Sequence, residues 1–75
     1  MQRRQLDLPE DLRQQLQYLA RLPSTPQRLA LRARCALMVS DGVGVRETAR
    51  QLEIRPQTVR KWVKRISIEG LKGLH

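Results

Sequence analysis

Residues 44–66 read GVRETARQLEIRPQTVRKWVKRI, and this stretch decides the fold. Its second half begins at Pro56, whose fixed φ angle suits the first turn of a helix. The apolar side chains that follow recur at i, i+3, i+4 and i+7, the spacing of one helical face. They are Val59, Trp62, Val63 and Ile66. The spacing predicts a helix from Pro56 to about Glu69, with this face buried and with Gly70 as its end.

The first half of the stretch predicts a shorter helix and a tight turn. Gly44 occupies the cap position, and the inward side chains are Thr48, Ala49 and Leu52. Ala49 is small, which lets two short helices cross closely. In the turn at residues 53–55, we expect Ile54 to fill the gap between the helices. A short helix, a turn of three or four residues and a longer basic helix form the helix-turn-helix signature.

Two further helices are predicted upstream. A leucine stripe with spacings of four, four and three residues predicts an N-terminal helix over residues 7–22, capped by Asp7 and with Pro9 in its first turn. The stripe consists of Leu8, Leu12, Leu16 and Leu19. The next helix is predicted from Pro26 to Ser40, after a cap at Ser24 or Thr25, and ends at Asp41-Gly42.

The pattern as a whole predicts an all-α fold. No stretch alternates with period two, so we expect no strand. The predicted architecture is a single helix-turn-helix domain over residues 1–75 with about four helices. It consists of the N-terminal helix at 7–22 and a homeodomain-like core of three helices at 26–70.

Length and composition exclude several functions. A chain of 75 residues has no room for a three-layer α/β enzyme with a cofactor cleft. One cysteine, Cys35, forms no internal disulfide, and with the single His75 it makes no zinc site. We therefore expect no catalytic residues, no metal and no cofactor, and we interpret Cys35 as a small apolar helix residue. No stretch resembles a membrane span or a signal core, which predicts a cytoplasmic, nucleoid-associated protein.

The charge indicates a polyanionic partner. The formal net charge is +8, and residues 23–75 hold 11 basic side chains against 4 acidic ones. The densest acid-free stretch runs from Arg55 to Arg65, within the predicted helix that bears the Trp62 face. A buried face opposite a basic face is what a helix in the DNA major groove requires, so we expect double-stranded DNA as the partner.

The predicted core face of this helix determines which side chains point toward DNA. Those expected to read bases are Gln57, Thr58, Lys61, Lys64 and Arg65, of which the last two are also suited to clamping phosphates. Those expected to contact phosphates are Arg28, Arg32, Arg46, Arg50, Arg55 and Arg60. Trp62 lies within the core stripe, so we interpret it as a core anchor rather than a base-stacking residue.

Four segments resemble the N-terminal helix-turn-helix region of bacterial insertion-sequence transposases of the mariner-like superfamily. They are LALRAR at 29–34, VRETARQL at 45–52, TVRKW at 58–62 and EGLKGL at 69–74. The resemblance implies recognition of terminal inverted repeats. In that family a catalytic domain with three metal-binding carboxylates follows, and these residues do not contain it, so we expect no cleavage or joining of DNA.

The sequence departs from that family at two turn positions. Glu53 stands where the family usually has a glycine, which costs about 1 kcal/mol if the position is left-handed. Arg55 stands where a Ser or Thr cap is usual, so the helix that begins at Pro56 lacks a cap hydrogen bond. Pro56 offsets part of that loss by fixing the first turn.

Other functions remain open from the sequence. A stand-alone transcriptional regulator would use the same DNA chemistry and would dimerise, with the leucine stripe (Leu8, Leu12, Leu16 and Leu19) as the candidate interface. The alternative for the stripe is packing within the domain. A protein–protein adaptor would use the stripe as a docking surface and ignore DNA. RNA binding is disfavoured because Tyr18 is the only aromatic residue besides Trp62. A membrane-surface role is disfavoured because the basic helix buries its apolar face.

Overall fold

The computed structural model describes residues 8–75, and most of this range is helical. The helices are α1 (Glu10–Arg21), α2 (Gln27–Ser40), α3 (Val45–Leu52) and α4 (Pro56–Glu69), followed by a C-terminal turn of 3-10 helix (Gly70–Leu74). No strand occurs among these 68 described residues. The all-α prediction is therefore confirmed, while the C-terminal turn was not predicted as an element.

Helix α2 lies at the centre, because it contacts every other element. It also supplies more of the buried apolar core than any other helix. The core consists of Leu16, Ala33, Cys35, Ala36, Val39, Ala49, Val59, Trp62, Ile66 and Leu74. The last of these belongs to the C-terminal turn, so the core extends beyond the predicted boundary at residue 70.

Helix α1 begins later than predicted. Pro9 has an extended backbone (ψ 146°) and occupies the cap position, so the helix starts at Glu10 rather than at residue 7 and ends at Arg21. The predicted cap Asp7 lies outside the described residues. Leu16 is completely buried, and the other stripe leucines pack against the core. The stripe is thus used inside the domain, which favours the packing alternative over a dimer interface.

Arg13 fixes α1 to the end of α2. Its Nη1 donates a hydrogen bond to the Ser40 hydroxyl at 2.9 Å, and that hydroxyl donates to the Leu37 carbonyl at 2.9 Å. Its Nη2 also forms an ion pair with the Asp41 carboxylate. Ser40 is buried, so these hydrogen bonds satisfy a polar group that would otherwise destabilise the core.

The start of α2 differs from the prediction, whereas its end agrees. Pro26 occupies the cap position and no side chain caps the helix, so the predicted cap at Ser24 or Thr25 is wrong. The predicted residues stand one and two positions too early to reach the first free N–H groups. At the other end, Gly42 has φ 95°, and the Val43 N–H donates to the Met38 carbonyl at 3.0 Å. This is the left-handed glycine ending predicted for Asp41-Gly42.

The same type of ending closes α3, but with a residue that is not glycine. The Ile54 N–H donates to the Ala49 carbonyl at 2.9 Å, and the Glu53 N–H donates to the Arg50 carbonyl at 3.3 Å. These two bonds define a Schellman motif, which requires a left-handed residue after the helix. Glu53 takes that conformation, with φ 59° and ψ 43°. The strain expected at this turn position is therefore present.

Replacing Glu53 with glycine should raise the free energy of unfolding. Glycine adopts positive φ without the Cβ clash, and the gain is at most about 1 kcal/mol because glycine also adds entropy to the unfolded chain. Chemical denaturation followed by circular dichroism measures it. Glu53→Ala is the matched control, since it keeps the Cβ and should bring no gain. A Gly variant less stable than the Ala variant would contradict the prediction.

Candidate nucleic-acid interface

Helices α3 and α4 form the predicted helix-turn-helix pair. Ala49 of α3 and Val59 of α4 are both buried, and the two helices contact each other directly. Ile54 in the turn is half-buried and packs against the core, as the sequence predicted. Arg55 caps α4 without a side-chain hydrogen bond, and Pro56 forms its first turn. The small Ala49 permits the close approach that sets the angle of α4.

Helix α4 divides into a buried face and a basic face. Val59, Trp62 and Ile66 are buried, and Val63 is half-buried, as predicted. On the opposite side, the exposed predicted residues are Gln57, Arg60, Lys61 and Lys64. Thr58 and Arg65 are half-buried at the flank of this face. The geometry thus presents three cations and a glutamine outward from one helix.

Ile68 is a member of the outward face that sequence reasoning missed. It is 71% exposed, so its side chain faces solvent together with the predicted residues. It follows Lys64 by four residues and Lys61 by seven, so it continues the same helical row. That spacing was the signal that would have revealed it.

Trp62 is the core anchor of α4, and cations surround its ring. The indole is only 8% exposed, which confirms the core interpretation. The Arg32 Cζ lies 3.9 Å from the ring centroid, the Lys61 Nζ 5.0 Å and the Arg65 Cζ 5.3 Å. All three distances fall within the range of cation–π attraction. The ring therefore holds charged groups from both α2 and α4.

The phosphate-directed arginines of α2 lie in different environments. Arg28 is exposed, whereas Arg32 is half-buried and turned onto the protein. The Arg32 Nη1 donates a hydrogen bond of 2.6 Å to the carbonyl of Leu74, in addition to the stacking on Trp62. The expectation that Arg32 points outward is therefore wrong, because its guanidinium finds a ring and a carbonyl within the fold.

The remaining four phosphate-directed arginines are all exposed: Arg46, Arg50, Arg55 and Arg60. Arg50 binds Glu47 with two hydrogen bonds, Nε to Oε1 at 3.1 Å and Nη2 to Oε2 at 2.6 Å. Gln51 donates a third, at 2.8 Å. The bonds from Arg50 and then Gln51 lower the pKa of Glu47. Their contribution to stability is complete above the unfolded-state pKa of that carboxyl and is lost as the pH falls through the lowered value.

The cations of α4 have no acidic partners in the described part of the chain. The two ion pairs found there are Arg13–Asp41 and Arg50–Glu47. Because no acidic side chain neutralises these positive charges on α4, they attract an approaching polyanion with their full charge. Arg60, Lys61 and Lys64 are the exposed members of this set.

The structure offers little for other chemistry. Among residues 8–75 no group of three or more His, Cys, Asp or Glu side chains is arranged to hold a metal ion. Cys35 is completely buried, and burial raises the pKa of its thiol to about 11. None of the helices described here combines the length and apolar character needed to cross a membrane.

Thr48 of α3 has a buried hydroxyl group, and its replacement by valine should stabilise the fold. Its side chain is completely buried, and its Oγ1 has no hydrogen-bond partner within residues 8–75. Valine has the same shape without the desolvated hydroxyl, so we expect a gain of about 1 kcal/mol in unfolding free energy. Thermal and urea unfolding measure it. Thr48→Ser, which keeps the hydroxyl and loses the methyl, should lower stability, and a loss in the Val variant would contradict the prediction.

Comparison with known proteins supports the helix-turn-helix assignment. No curated protein and no solved structure matches the chain. A family model described as a winged helix-turn-helix matches residues 32–75, which is more than half of the chain and includes α3, α4 and most of α2. After α4 the described residues form the C-terminal turn and no β-wing. On the extent of this match, the chain belongs to the winged helix-turn-helix family.

Proposed function

We propose that the chain binds double-stranded DNA sequence-specifically, with α4 in the major groove. The observation that carries this proposal is the face of α4 that exposes Gln57, Lys61 and Lys64, opposite the buried Trp62 face. The major groove is about 12 Å wide and accepts one α-helix. Membership of a helix-turn-helix family supports the same function, because these domains read DNA with the second helix of the pair.

The exposed side chains suggest a division of roles. Gln57, Thr58 and Lys61 lie in the N-terminal half of α4, the end that enters the groove in helix-turn-helix proteins. Glutamine pairs with adenine through two hydrogen bonds, and lysine pairs with the O6 and N7 atoms of guanine. We propose that these three read bases, while Lys64 and Arg65 read bases or clamp the backbone.

Phosphate contacts are proposed for the exposed arginines around α4. Arg46 and Arg50 lie on α3, Arg55 and Arg60 at or within α4, and Arg28 near the start of α2. Such contacts fix the register of the protein on the duplex and carry no sequence information of their own. Arg50 must share its charge with Glu47, so its contribution should be the weakest of the five.

The target that we propose is the terminal inverted repeat of an insertion element. This proposal is supported by the resemblance of residues 45–52 and 58–62 to the DNA-binding region of mariner-like transposases. The chain would then supply recognition within the cytoplasm and leave cleavage to a catalytic domain. Use of the same module as a transcriptional regulator would show the same binding chemistry at a promoter.

The test is a binding titration with two duplexes at two salt concentrations. One duplex is enriched by the protein from a random pool, and the other has the same composition in shuffled order. We expect the enriched duplex to bind more tightly, and the logarithm of affinity to fall with that of salt by about 0.9 per phosphate contact. Equal affinity for both would overturn sequence specificity, and failure to bind either would overturn DNA binding.

Lys61→Ala and Arg28→Ala should affect binding differently. Loss of a base contact should weaken the enriched duplex by about 1–3 kcal/mol and leave the shuffled duplex nearly unchanged. Loss of a phosphate contact should weaken both alike and reduce the salt slope by about 0.9. Fluorescence anisotropy measures both quantities. An equal loss of affinity for both duplexes in the Lys61→Ala variant would reassign Lys61 from a base contact to a contact with the DNA backbone.

A further inference from the structure

One side chain of α2 joins three elements at the back of the candidate DNA-reading helix. Arg32 stacks on Trp62 of α4 at 3.9 Å and hydrogen-bonds the Leu74 carbonyl of the C-terminal turn at 2.6 Å. Trp62 and Leu74 are both buried, with 8% and 2% of their surfaces exposed. The guanidinium is therefore held from two sides by groups that belong to the core.

These contacts use properties that only arginine offers. Its planar guanidinium stacks on an aromatic face while its N–H groups remain free to donate in the plane. A hydrogen bond from a charged donor is stronger than one between neutral groups. To reach a phosphate, Arg32 would have to leave both the ring and the carbonyl, and Leu74 would lose its charged donor.

The ring that Arg32 holds is also the support of two proposed DNA contacts. The Lys61 Nζ and the Arg65 Cζ lie 5.0 and 5.3 Å from the same centroid. A rotation of the indole would therefore move the surface against which both side chains rest. Base readout depends on placing such groups within a fraction of an ångström, so the orientation of this ring matters for specificity.

We infer that Arg32 is a positioning residue for the DNA-reading helix and does not contact a phosphate. It sets the orientation of α4 through Trp62 and anchors the C-terminal turn through Leu74. The inference rests on the proposed function for its effect on binding, whereas the link to Trp62 is a property of the free protein. It reassigns Arg32 from the phosphate contacts that the sequence predicted.

The variant Arg32→Lys distinguishes a positioning role for this residue from a direct contact with a phosphate. Lysine keeps the charge that a phosphate needs but has neither the plane nor the fork of donors. For a positioning residue, both Arg32→Lys and Arg32→Ala should reduce the affinity ratio between enriched and shuffled duplexes by about tenfold, the order that one base contact supplies. The salt slope should stay at the wild-type value in both. Arg28→Ala, which removes an exposed charge from the same helix, is the control for a lowered slope.

Trp62 gives a readout that needs no DNA, because it is the only tryptophan. Removing the stacked guanidinium should change its emission intensity and wavelength in both Arg32 variants. Arg34→Ala, an exposed charge two residues along α2, should leave the spectrum unchanged. Circular dichroism verifies that each variant is folded, and the conservative Lys variant decides the result if the Ala variant unfolds.

The outcomes distinguish this inference from the proposed function. A wild-type affinity ratio in Arg32→Lys, together with a slope lowered by about 0.9 in Arg32→Ala, would make Arg32 a phosphate contact and overturn the inference. If no duplex binds the wild-type chain, the proposed function fails, and the emission of Trp62 still decides the link. An unchanged Trp62 emission spectrum in both Arg32 variants would overturn the link between Arg32 and Trp62.

Discussion

Replacing Gly73 with alanine should lower the free energy of unfolding by about 3 kcal/mol, the range of an overpacked core site combined with loss of a buried leucine. A Cβ at this position would lie 2.6 Å from the Arg65 carbonyl oxygen and 2.9 Å from the Ile66 nitrogen. Both atoms belong to the backbone of α4, which cannot move aside as a flexible side chain can. The C-terminal turn must therefore withdraw from the helix.

Withdrawal of the turn removes more than one contact. Leu74 would leave the core, in which it is 2% exposed, and its carbonyl would leave the Arg32 guanidinium. Urea unfolding followed by circular dichroism measures the loss. Gly44→Ala is the matched control, because a Cβ there meets nothing within 4 Å, and its effect should stay below about 1 kcal/mol. A Gly73 variant as stable as the wild type would show that the turn does not pack on α4.

Replacing Trp62 with alanine should lower the free energy of unfolding by about 3–5 kcal/mol, a large part of the total stability of the chain. Truncation of a buried aromatic side chain costs about 3–5 kcal/mol, and a domain of this length has only about 4–11 kcal/mol in total. The indole is the largest side chain of the core. Its removal also removes the ring on which the Arg32 guanidinium stacks. Urea unfolding followed by far-ultraviolet circular dichroism should show a much lower midpoint for the variant than for the wild type.

Two further variants provide reference values for the loss of stability expected in Trp62→Ala. Trp62→Phe keeps an aromatic face of smaller area, so its loss of stability should be intermediate. Ile68→Ala removes a side chain of the same helix that is 71% exposed, and its effect should stay within about 0.5 kcal/mol. A folded Trp62→Ala variant with stability close to that of Ile68→Ala would contradict the assignment of Trp62 as the core anchor.

The pattern of the sequence predicted the helix-turn-helix pair well, because its signals are local. The apolar spacing that ends at Ile66 places one face of α4 in the core, and Gly42 provides the left-handed ending of α2. The starts of α1 and α2 were less accurate. Proline fits both the cap and the first turn of a helix, so Pro9 and Pro26 did not by themselves say which position they occupy.

The part of the site that the sequence did not show depends on contacts between distant residues. Arg32 and Leu74 are 42 positions apart, and Arg13 and Ser40 are 27 apart. No periodicity connects such pairs, so an arginine that packs against the core looks the same in sequence as an exposed one. The pair of Glu47 and Arg50 is different. Its spacing of three on a helix is a local signal, and it would have indicated a partly neutralised charge.

The buried thiol of Cys35 provides a chemical probe for transient opening of the native structure. Thiol reagents attack the thiolate, and a pKa of about 11 leaves very little thiolate at neutral pH, behind a surface that is closed to solvent. Alkylation in native buffer must therefore wait for α2 to separate from its neighbours. The labelling rate reports how often the native state opens. A bound duplex that stabilises the closed form would slow that rate in proportion to its occupancy.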